Sequence, residues 1–369
     1  MMKRLLLTMF VGMLALGTVA QEGKFTLGGT VEGMGPMLMY FLTDPYGGVI
    51  AQETKAVFND KLDLSFDMDS VGVLAVYGSR GFLFFVPVIP GEAVTVSGKA
   101  GDCTIDGSPF YQQFNEMMSA VNPLQEFYWK YDFKTDCRDE IAGKSSEEVY
   151  DLYQAKTKSR YQPVRDFVFS YVKKHPDSDV SVFAIRFLDD KDDVDRAVAC
   201  LSKDVLEGLM KPFIEETYEQ LHRDGCSFMN ETAPDFTLHD INGNPLALSS
   251  LRGKWVLVDF WSTTCAHSQS QFPTLVQLYD KYKDQVEILG VDCETDEAEW
   301  RNAMKSKFFH LTWKNVNGCY ELDDPENPAC IYETTATPTY FLVNPSGRVV
   351  KKSLLNAEEL RPIFEMLFD

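Results

Sequence analysis

The sequence predicts an α/β fold for the C-terminal part of the chain, preceded by a small all-β domain and a helical middle segment. The predicted ranges are 21–105 for the all-β domain, 106–228 for the helical segment and 229–369 for the α/β domain. Leu62 to Met68 alternates strictly between apolar and polar residues, which indicates a half-buried strand. Val164 to Tyr171 shows helical spacing of apolar residues instead. Trp255 to Trp261 is a nearly continuous apolar run, typical of a central parallel strand covered on both faces.

Residues 1–20 have the pattern of a secretory signal peptide. Lys3 and Arg4 supply positive charge, and an apolar run from Leu5 to Gly17 follows. Thr18 to Ala20 offers small residues for cleavage, so we expect the mature chain to begin at Gln21. The apolar run is shorter than the roughly 20 residues that span a bilayer. The sequence therefore predicts export and a periplasmic location.

The all-β domain is predicted from short apolar stretches separated by turn residues. Pro45 to Gly48 and Pro90-Gly91 are such turns. Besides Leu62 to Met68, the candidate strands are Phe25 to Val31, Met37 to Leu42, Val73 to Tyr77, Phe82 to Val86 and Ala93 to Ser97. Short strands at this spacing favour a sandwich-like arrangement.

The helical segment begins its clearest helix with a capping box, in which the Ser145 oxygen can accept from the backbone amide of Glu148. Pro176 ends that helix. Further helices are predicted over Phe110 to Met118, Val194 to Leu201 and Val205 to His222. The acidic run Asp189 to Asp195 is interpreted as a solvated turn rather than a metal site.

Charge and cysteine content indicate which partners, disulfides and cofactors to expect. The formal net charge is −20, so an anionic nucleic acid is not an expected partner. The chain has eight cysteines, all after the predicted cleavage site, and in an oxidising compartment these could pair. The Cys and His residues lack paired zinc-ligand spacing, so no metal or other cofactor is expected.

The residues that suggest chemistry follow the central apolar strand. Trp261 precedes Cys265 by four positions, Ser268 follows that cysteine by three, and Pro273 follows it by eight. A cysteine between a strand end and a helix start meets free backbone amides and the positive end of the helix dipole, which favour its thiolate. A second proline, Pro338, lies between two threonines just before another predicted strand.

Residues 230–369 resemble the thioredoxin superfamily, most closely the exported TlpA/ResA-like proteins with their AhpC/TSA-type domain. The resemblance is carried by the Trp–Cys–Pro spacing, by Ala233-Pro234-Asp235-Phe236 and by Pro338. It implies a thiol-disulfide oxidoreductase in which Cys265 attacks, Pro338 is cis and Thr337 offers backbone groups to a substrate. It also gives Asp259 the place of a buried proton-relaying carboxylate and His267 that of a residue which tunes the thiol. The β-domain loosely resembles an uncharacterised domain that precedes TlpA-like domains in Gram-negative bacteria.

Ser268 stands where the family has a second cysteine, and this changes the expected mechanism. A hydroxyl cannot resolve a mixed disulfide, so a substrate thiol, a small external thiol or another cysteine of the chain must do so. Cys293, at the end of the strand expected beside the central one, is the candidate within the chain, although a structural or idle role is favoured for it. Cys319 and Cys330 flank an acidic insertion and could pair with each other.

Three functions follow from these features. The first is a periplasmic oxidoreductase or isomerase that works through Cys265 on protein thiols or disulfides, with an electron donor in the periplasm or membrane. The second is a binding or scaffold protein whose redox site has decayed. The third is a one-cysteine peroxidase, which Ser262 would suit, but Val258 occupies the place where such enzymes have proline.

Overall fold

The computed structural model describes residues 23–294, 296–305, 311–318, 324 and 326–369. These residues divide into two compact units. The first unit holds 23–125 and 163–218, and the second holds 126–162 and 219–369. The unit boundaries fall inside three helices of the middle segment, so its residues are shared between both units. The domain boundaries 105/106 and 228/229 stay predictions.

The first unit contains two four-stranded sheets. Their strands are β1 (Gly23–Glu32), β2 (Met37–Thr43), β3 (Val49–Ala56), β4 (Lys61–Met68), β5 (Gly72–Gly78), β6 (Gly81–Val88), β7 (Ala93–Lys99) and β8 (Asp102–Asp106). One sheet has the order β4-β1-β7-β8 and the other β3-β2-β5-β6. Leu62, Leu64 and Met68 of β4 are buried while the residues between them are mostly exposed, as the alternation predicts.

Eight helices follow the β-strands. They are α1 (Pro109–Trp129), α2 (Phe133–Asp136), α3 (Arg138–Ile141), α4 (Ser146–Lys174), α5 (Asp179–Ile185), α6 (Lys191–Val198), α7 (Lys203–Leu206) and α8 (Lys211–Asp224). The capping box at the start of α4 forms, because the Ser145 backbone N–H donates to the Glu148 carboxylate at 2.8 Å and the Glu148 N–H donates to the Ser145 hydroxyl at 3.3 Å.

The second unit is built on a seven-stranded sheet of order β10-β9-β13-β12-β11-β14-β15. The strands are β9 (Thr237–Asp240), β10 (Pro245–Ala247), β11 (Trp255–Trp261), β12 (Val286–Asp292), β13 (Lys314–Asn317), β14 (Thr339–Val343) and β15 (Val349–Leu354). The helices are α9 (Ala266–Tyr282), α10 (Glu297–Lys305), α11 (Pro328–Ile331) and α12 (Arg361–Phe368), with 3₁₀ turns at Leu248–Leu251 and Ala357–Leu360.

Strand β11 is central because both of its faces are covered. All seven of its residues are buried. Trp255, Leu257 and Trp261 pack into a cluster with α9 and α12, whereas Val256 and its alternate neighbours pack into a second cluster with Phe341. β11 pairs in parallel with β12 and antiparallel with β14, so the end of β11 and the start of β14 lie at one edge of the sheet.

The fold class is confirmed: an all-β region and a helical segment precede an α/β domain. Three details of the elements were wrong. Strand β3, whose residues show no alternation, and strand β8, which alternates over only five residues, were not predicted. The helix expected over Val205 to His222 is two helices, α7 and α8. The acidic run Asp189 to Asp195 is partly helical, since α6 begins at Lys191 and Arg165 pairs with Asp189 at 2.8 Å.

The predicted signal peptide, residues 1–20, lies outside the described residues. Within the described part of the chain, no helix combines the length and the apolar character needed to cross a membrane.

Candidate active site

The start of helix α9 positions Cys265. The chain leaves buried strand β11 at Trp261 and turns through residues 262 to 264 before Cys265, which is the N-cap of the helix that begins at Ala266. Its φ of −81° and ψ of 105° are extended, as a cap requires. Because its residue is partly exposed, the sulfur can be approached from solvent.

Hydrogen bonds surround the Cys265 sulfur. The Ser268 backbone N–H donates to Sγ at 3.5 Å, and the thiol donates to the Thr337 carbonyl oxygen at 3.4 Å. Burial raises the pKa of the Cys265 thiol, but the Ser268 amide and hydroxyl, the Thr337 side chain and the His267 amide together outweigh it. The pKa of the thiol is therefore lowered, which increases the fraction of reactive thiolate at neutral pH.

The hydroxyl of Ser268 is buried beside this sulfur. It makes no hydrogen bond of ordinary geometry within the described residues, yet it lies near enough to Sγ to lower the pKa of the thiol. A hydroxyl can donate to a thiolate but cannot form a disulfide. Ser268 is thus placed to stabilise the anionic sulfur.

The Thr337–Pro338 peptide bond is cis. It precedes β14, whose Thr339 is the register partner of Phe260 on β11. This pairing brings the Thr337 carbonyl oxygen to the Cys265 sulfur. Pro338 is buried, and its own carbonyl oxygen accepts from the Leu355 amide at 2.9 Å.

His267 lies on the exposed side of the motif. Its Nε2 is 2.7 Å from the Leu355 carbonyl oxygen. Because a carbonyl oxygen can only accept, Nε2 carries the proton in this contact. The imidazole therefore links the helix start to the residue that follows β15, while the His267 backbone amide acts on Cys265.

Two buried carboxyl groups lie on β11 and β12, the strands that lead toward the motif. Neither oxygen of Asp259 has a hydrogen-bond partner among the described residues, and burial raises the pKa of this carboxyl to about 8. Asp292, the register partner of Trp261, accepts from the Thr263 backbone N–H at 3.1 Å. Burial raises the pKa of Asp292 to about 7, so both carboxyls exchange protons near neutral pH.

Glu294 was missed by sequence reasoning. It follows β12 and accepts hydrogen bonds from the hydroxyls of Ser262 and Thr264 and from the Thr264 backbone N–H. Its sequence position, two residues after an apolar strand, resembles that of many surface residues. Only the parallel pairing of β11 with β12 brings it to the loop before Cys265.

Cys293 lies between Asp292 and Glu294 and is tied to β11 by its backbone N–H, which donates to the Trp261 carbonyl oxygen at 2.8 Å. Its sulfur is 3.7 Å from the Val291 carbonyl oxygen. Burial, followed by the charges of neighbouring carboxylates, raises the pKa of the Cys293 thiol far above its usual range. Its role as a resolving thiol stays a prediction, and this environment disfavours it.

The predicted pairing of Cys319 with Cys330 also stays a prediction. Cys330 lies on α11 and is exposed, whereas Cys319 lies outside the described residues.

A groove of about 700 Å³ lies elsewhere in the second unit. Aromatic side chains form much of its lining, namely Tyr128, Trp129, Tyr131, Phe133, Tyr150 and Tyr153. None of the predicted site residues lines it. Among the described residues, no group of three or more His, Cys, Asp or Glu side chains is arranged to hold a metal ion.

Comparison with known proteins agrees with this geometry. Residues 229–352 match the AhpC/TSA family. The chain is 38% identical over 120 residues to thiol-disulfide oxidoreductase ResA of Bacillus subtilis (strain 168), which covers 32% of this chain and 63% of that protein. It is 30% identical over 125 residues to a thiol-disulfide oxidoreductase ResA of Bacillus cereus, which covers 34% of this chain and 68% of that protein. The chain belongs to the ResA-like thiol-disulfide oxidoreductases.

The predicted resemblance to the TlpA/ResA-like proteins is therefore confirmed for the C-terminal domain of this ResA-like chain. The chain spans 63% of the length of the Bacillus subtilis relative. A crystal structure of the thioredoxin domain of a Bacteroides vulgatus thiol-disulfide oxidoreductase aligns with 29% identity over 38% of this chain and 97% of that one, with a TM-score of 0.33. The family assignment of this ResA-like chain rests on the sequence matches.

Proposed function

We propose that the protein is an exported thiol-disulfide oxidoreductase that acts through Cys265 alone and exchanges or shuffles disulfides in protein substrates. The observation that carries the proposal is the Cys265 sulfur itself. It is partly exposed at the start of α9, accepts from the Ser268 amide, touches the Thr337 carbonyl oxygen and has a lowered thiol pKa.

In the first step, the Cys265 thiolate attacks one sulfur of a substrate disulfide. A bond forms between Cys265 and that sulfur, the substrate disulfide breaks, and the other substrate sulfur leaves as a thiolate. The Ser268 amide and hydroxyl stabilise the attacking anion before the step. The backbone beside the cis peptide bond offers an extended substrate hydrogen-bonding groups close to the reacting sulfur.

In the second step, a thiol outside the motif resolves the mixed disulfide. A substrate thiolate attacks the substrate sulfur of the adduct, a new substrate disulfide forms, and Cys265 leaves as a thiolate. The electrons balance without an added oxidant, so the net reaction is isomerisation. When a small external thiol acts instead, one molecule attacks the Cys265 sulfur of the adduct and releases the reduced substrate, and a second molecule releases Cys265 as a thiolate, so two thiols end as one small disulfide.

Asp259 fits the proposal as a buried proton store. Its carboxyl, with a pKa of about 8, is protonated in the folded protein at neutral pH. Asp259 can therefore release a proton into the protein interior. Export to the periplasm, which the pattern of residues 1–20 supports, would supply protein disulfides and thiols as partners.

The test compares the wild-type protein with Cys265→Ser on a protein substrate whose disulfides have been scrambled. We expect the wild type to accelerate recovery of the native disulfides and to yield a covalent adduct on non-reducing gels. We expect the variant to do neither, because the nucleophile is gone. Cys200→Ser removes a partly exposed thiol of the first unit and serves as the matched control.

Equal rates for the wild type and Cys265→Ser would overturn the proposal. That result would favour the alternative of a binding or scaffold protein with a decayed redox site, to which the serine at position 268 points. Peroxide consumption that depends on Cys265, without disulfide exchange, would instead favour the one-cysteine peroxidase.

A further inference from the structure

One carboxylate holds the loop that leads into Cys265. Oε1 of Glu294 accepts from the hydroxyls of Ser262 and Thr264 and from the Thr264 backbone N–H, the last at 3.1 Å. Both residues lie between Trp261, the last residue of β11, and Cys265. Three hydrogen-bond donors from Ser262 and Thr264 thus bond one carboxylate oxygen of Glu294, which follows the neighbouring strand β12.

The same loop is held at its middle residue from two sides. The Thr263 backbone N–H donates to Asp292 at 3.1 Å, and the Thr263 carbonyl oxygen accepts from the Gln269 side chain at 2.7 Å. The turn closes at Cys265, whose backbone N–H donates to the Ser262 carbonyl oxygen at 3.2 Å. A displacement of Ser262 or Thr264 therefore moves Cys265 as well.

We infer that Glu294 is a positioning residue of the redox site, which fixes Ser262 and Thr264 and thereby keeps the Cys265 sulfur aligned with the Ser268 amide. The inference rests on the proposed function, because it takes Cys265 as the reacting group. Glu294 itself does not touch the sulfur in any hydrogen bond of the described residues, so it acts through the loop.

Glu294 is ionised in this arrangement. Burial raises its pKa, but the bonds from Ser262 and Thr264 outweigh burial and lower it. An ionised carboxylate is a strong hydrogen-bond acceptor, which suits a residue that must hold three donors of the loop. Two titratable side chains that interact with Glu294 are Asp292, which also accepts from the Thr263 backbone N–H, and Cys293, whose thiol pKa the Glu294 charge helps to raise.

A purely electrostatic role of Glu294 and a positioning role predict opposite changes in the pKa of Cys265 when Glu294 is replaced. If only the negative charge mattered, its removal would make the nearby thiolate easier to form and would lower the Cys265 pKa. If Glu294 positions the loop, its removal loosens the alignment with the Ser268 amide and raises the Cys265 pKa. The sign of the shift therefore distinguishes the two roles.

The experiment measures the alkylation rate of Cys265 against pH by peptide mass spectrometry, for the full-length wild type, Glu294→Ala and Glu294→Gln. We expect Glu294→Ala to raise the thiol pKa by about 1 unit, which makes alkylation at pH 7 about tenfold slower. Glu294→Gln should lie between the two, since its amide oxygen still accepts hydrogen bonds. Glu299→Gln removes the same charge from an exposed position in α10 and should leave the profile unchanged.

A second set of variants tests the route through the loop. The double variant Ser262→Ala with Thr264→Val should raise the Cys265 pKa as Glu294→Ala does. Combining it with Glu294→Ala should add little further change, because the double variant already removes both hydroxyl bonds to Glu294 and leaves only the bond from the Thr264 backbone N–H. If Glu294→Ala fails to fold in thermal unfolding, Glu294→Gln and the double variant carry the test.

A wild-type pH profile in all of these variants, or a fall in the Cys265 pKa, would overturn the positioning role. Such a result would leave the proposed function standing, since the wild type would still react and form adducts. A wild-type Cys265 that forms no adduct at all would instead defeat the proposed function.

Discussion

Two neighbouring strands of the same sheet each lead to a cysteine, and the two sulfurs have opposite chemistry. β11 leads to Cys265 and β12 to Cys293, and both strands point in the same direction. Cys265 caps a helix, meets hydrogen-bond donors and has a lowered thiol pKa. Cys293, also partly exposed as a residue, lies between Asp292 and Glu294, and burial of its thiol and the charges of neighbouring carboxylates raise its pKa strongly. The difference has a physical cause: donors at a helix start lower the pKa of the Cys265 thiol, whereas burial and carboxylate charges raise that of Cys293.

The largest expected effect is the contrast in alkylation between these two cysteines. At pH 7 in the folded protein we expect Cys265 to be alkylated more than about 100-fold faster than Cys293, because each pKa unit changes the thiolate fraction tenfold. Peptide mass spectrometry after timed quenching measures both sites in one sample. Alkylation rates of Cys265 and Cys293 within a factor of about three of each other would contradict the comparison. As a control, the two rates should become equal in denaturant, where the tertiary environment is lost.

The next effect sharpens the role of the helix start. Ser268→Cys places a second thiol beside the reacting sulfur, so the chain itself can resolve the mixed disulfide. We expect the adduct with a protein substrate to decay at least about tenfold faster than in the wild type. Gel analysis under non-reducing conditions measures the decay, with Cys200→Ser as a variant that keeps Cys265. An unchanged adduct lifetime would mean that position 268 cannot reach the substrate sulfur.

A smaller effect concerns the carboxyl buried on β11. Between pH 3.8 and 8 the unfolded chain has Asp259 ionised while the folded protein keeps it protonated, so rising pH favours unfolding. We expect the free energy of unfolding to fall by up to about 1.4 kcal/mol per pH unit from this group, and Asp259→Asn to remove that slope. Urea unfolding at several pH values measures it. An unchanged pH dependence of the free energy of unfolding in Asp259→Asn would contradict the burial of Asp259. Asp292→Asn should likewise remove a contribution to this pH dependence, one that ends near pH 7.

The smallest effect isolates one hydroxyl. Ser268→Ala keeps the backbone amide at Cys265 Sγ but removes the side-chain donor. We expect the thiol pKa of Cys265 to rise by less than about 1 unit, which slows alkylation at pH 7 by less than tenfold. Ser270→Ala, an exposed serine on the same helix, is the matched control. A fall in the pKa would show that the hydroxyl does not stabilise the thiolate.

Much of the fold was predictable where the local pattern and the tertiary environment agree. The alternation in β4 and the continuous apolar run of β11 each match the burial of those strands. The prediction failed for β3, whose largely exposed and polar residues follow no alternation. It also failed to divide α7 from α8, although Gly208 lies between them and Pro212 lies in the first turn of α8, which are residues typical of a helix end and a helix start.

The candidate site was predictable to a similar degree. The spacing of Trp261, Cys265 and Pro273 and the position of Pro338 identified the residues that meet at the sheet edge, because they belong to a family pattern. Glu294 belongs to no such pattern. The sequence did predict β12 beside β11, but it did not indicate that the Glu294 carboxylate at the end of β12 would meet three donors of the loop before Cys265.

The sequence by itself determined the family, the attacking cysteine and the serine that replaces its partner, since these depend on residue identity and spacing along the chain. Tertiary structure alone decided the opposite pKa shifts of the Cys265 and Cys293 thiols. Hydrogen-bond donors and burial set the two thiol pKa values, and both depend on groups brought together from β11, β12 and β14.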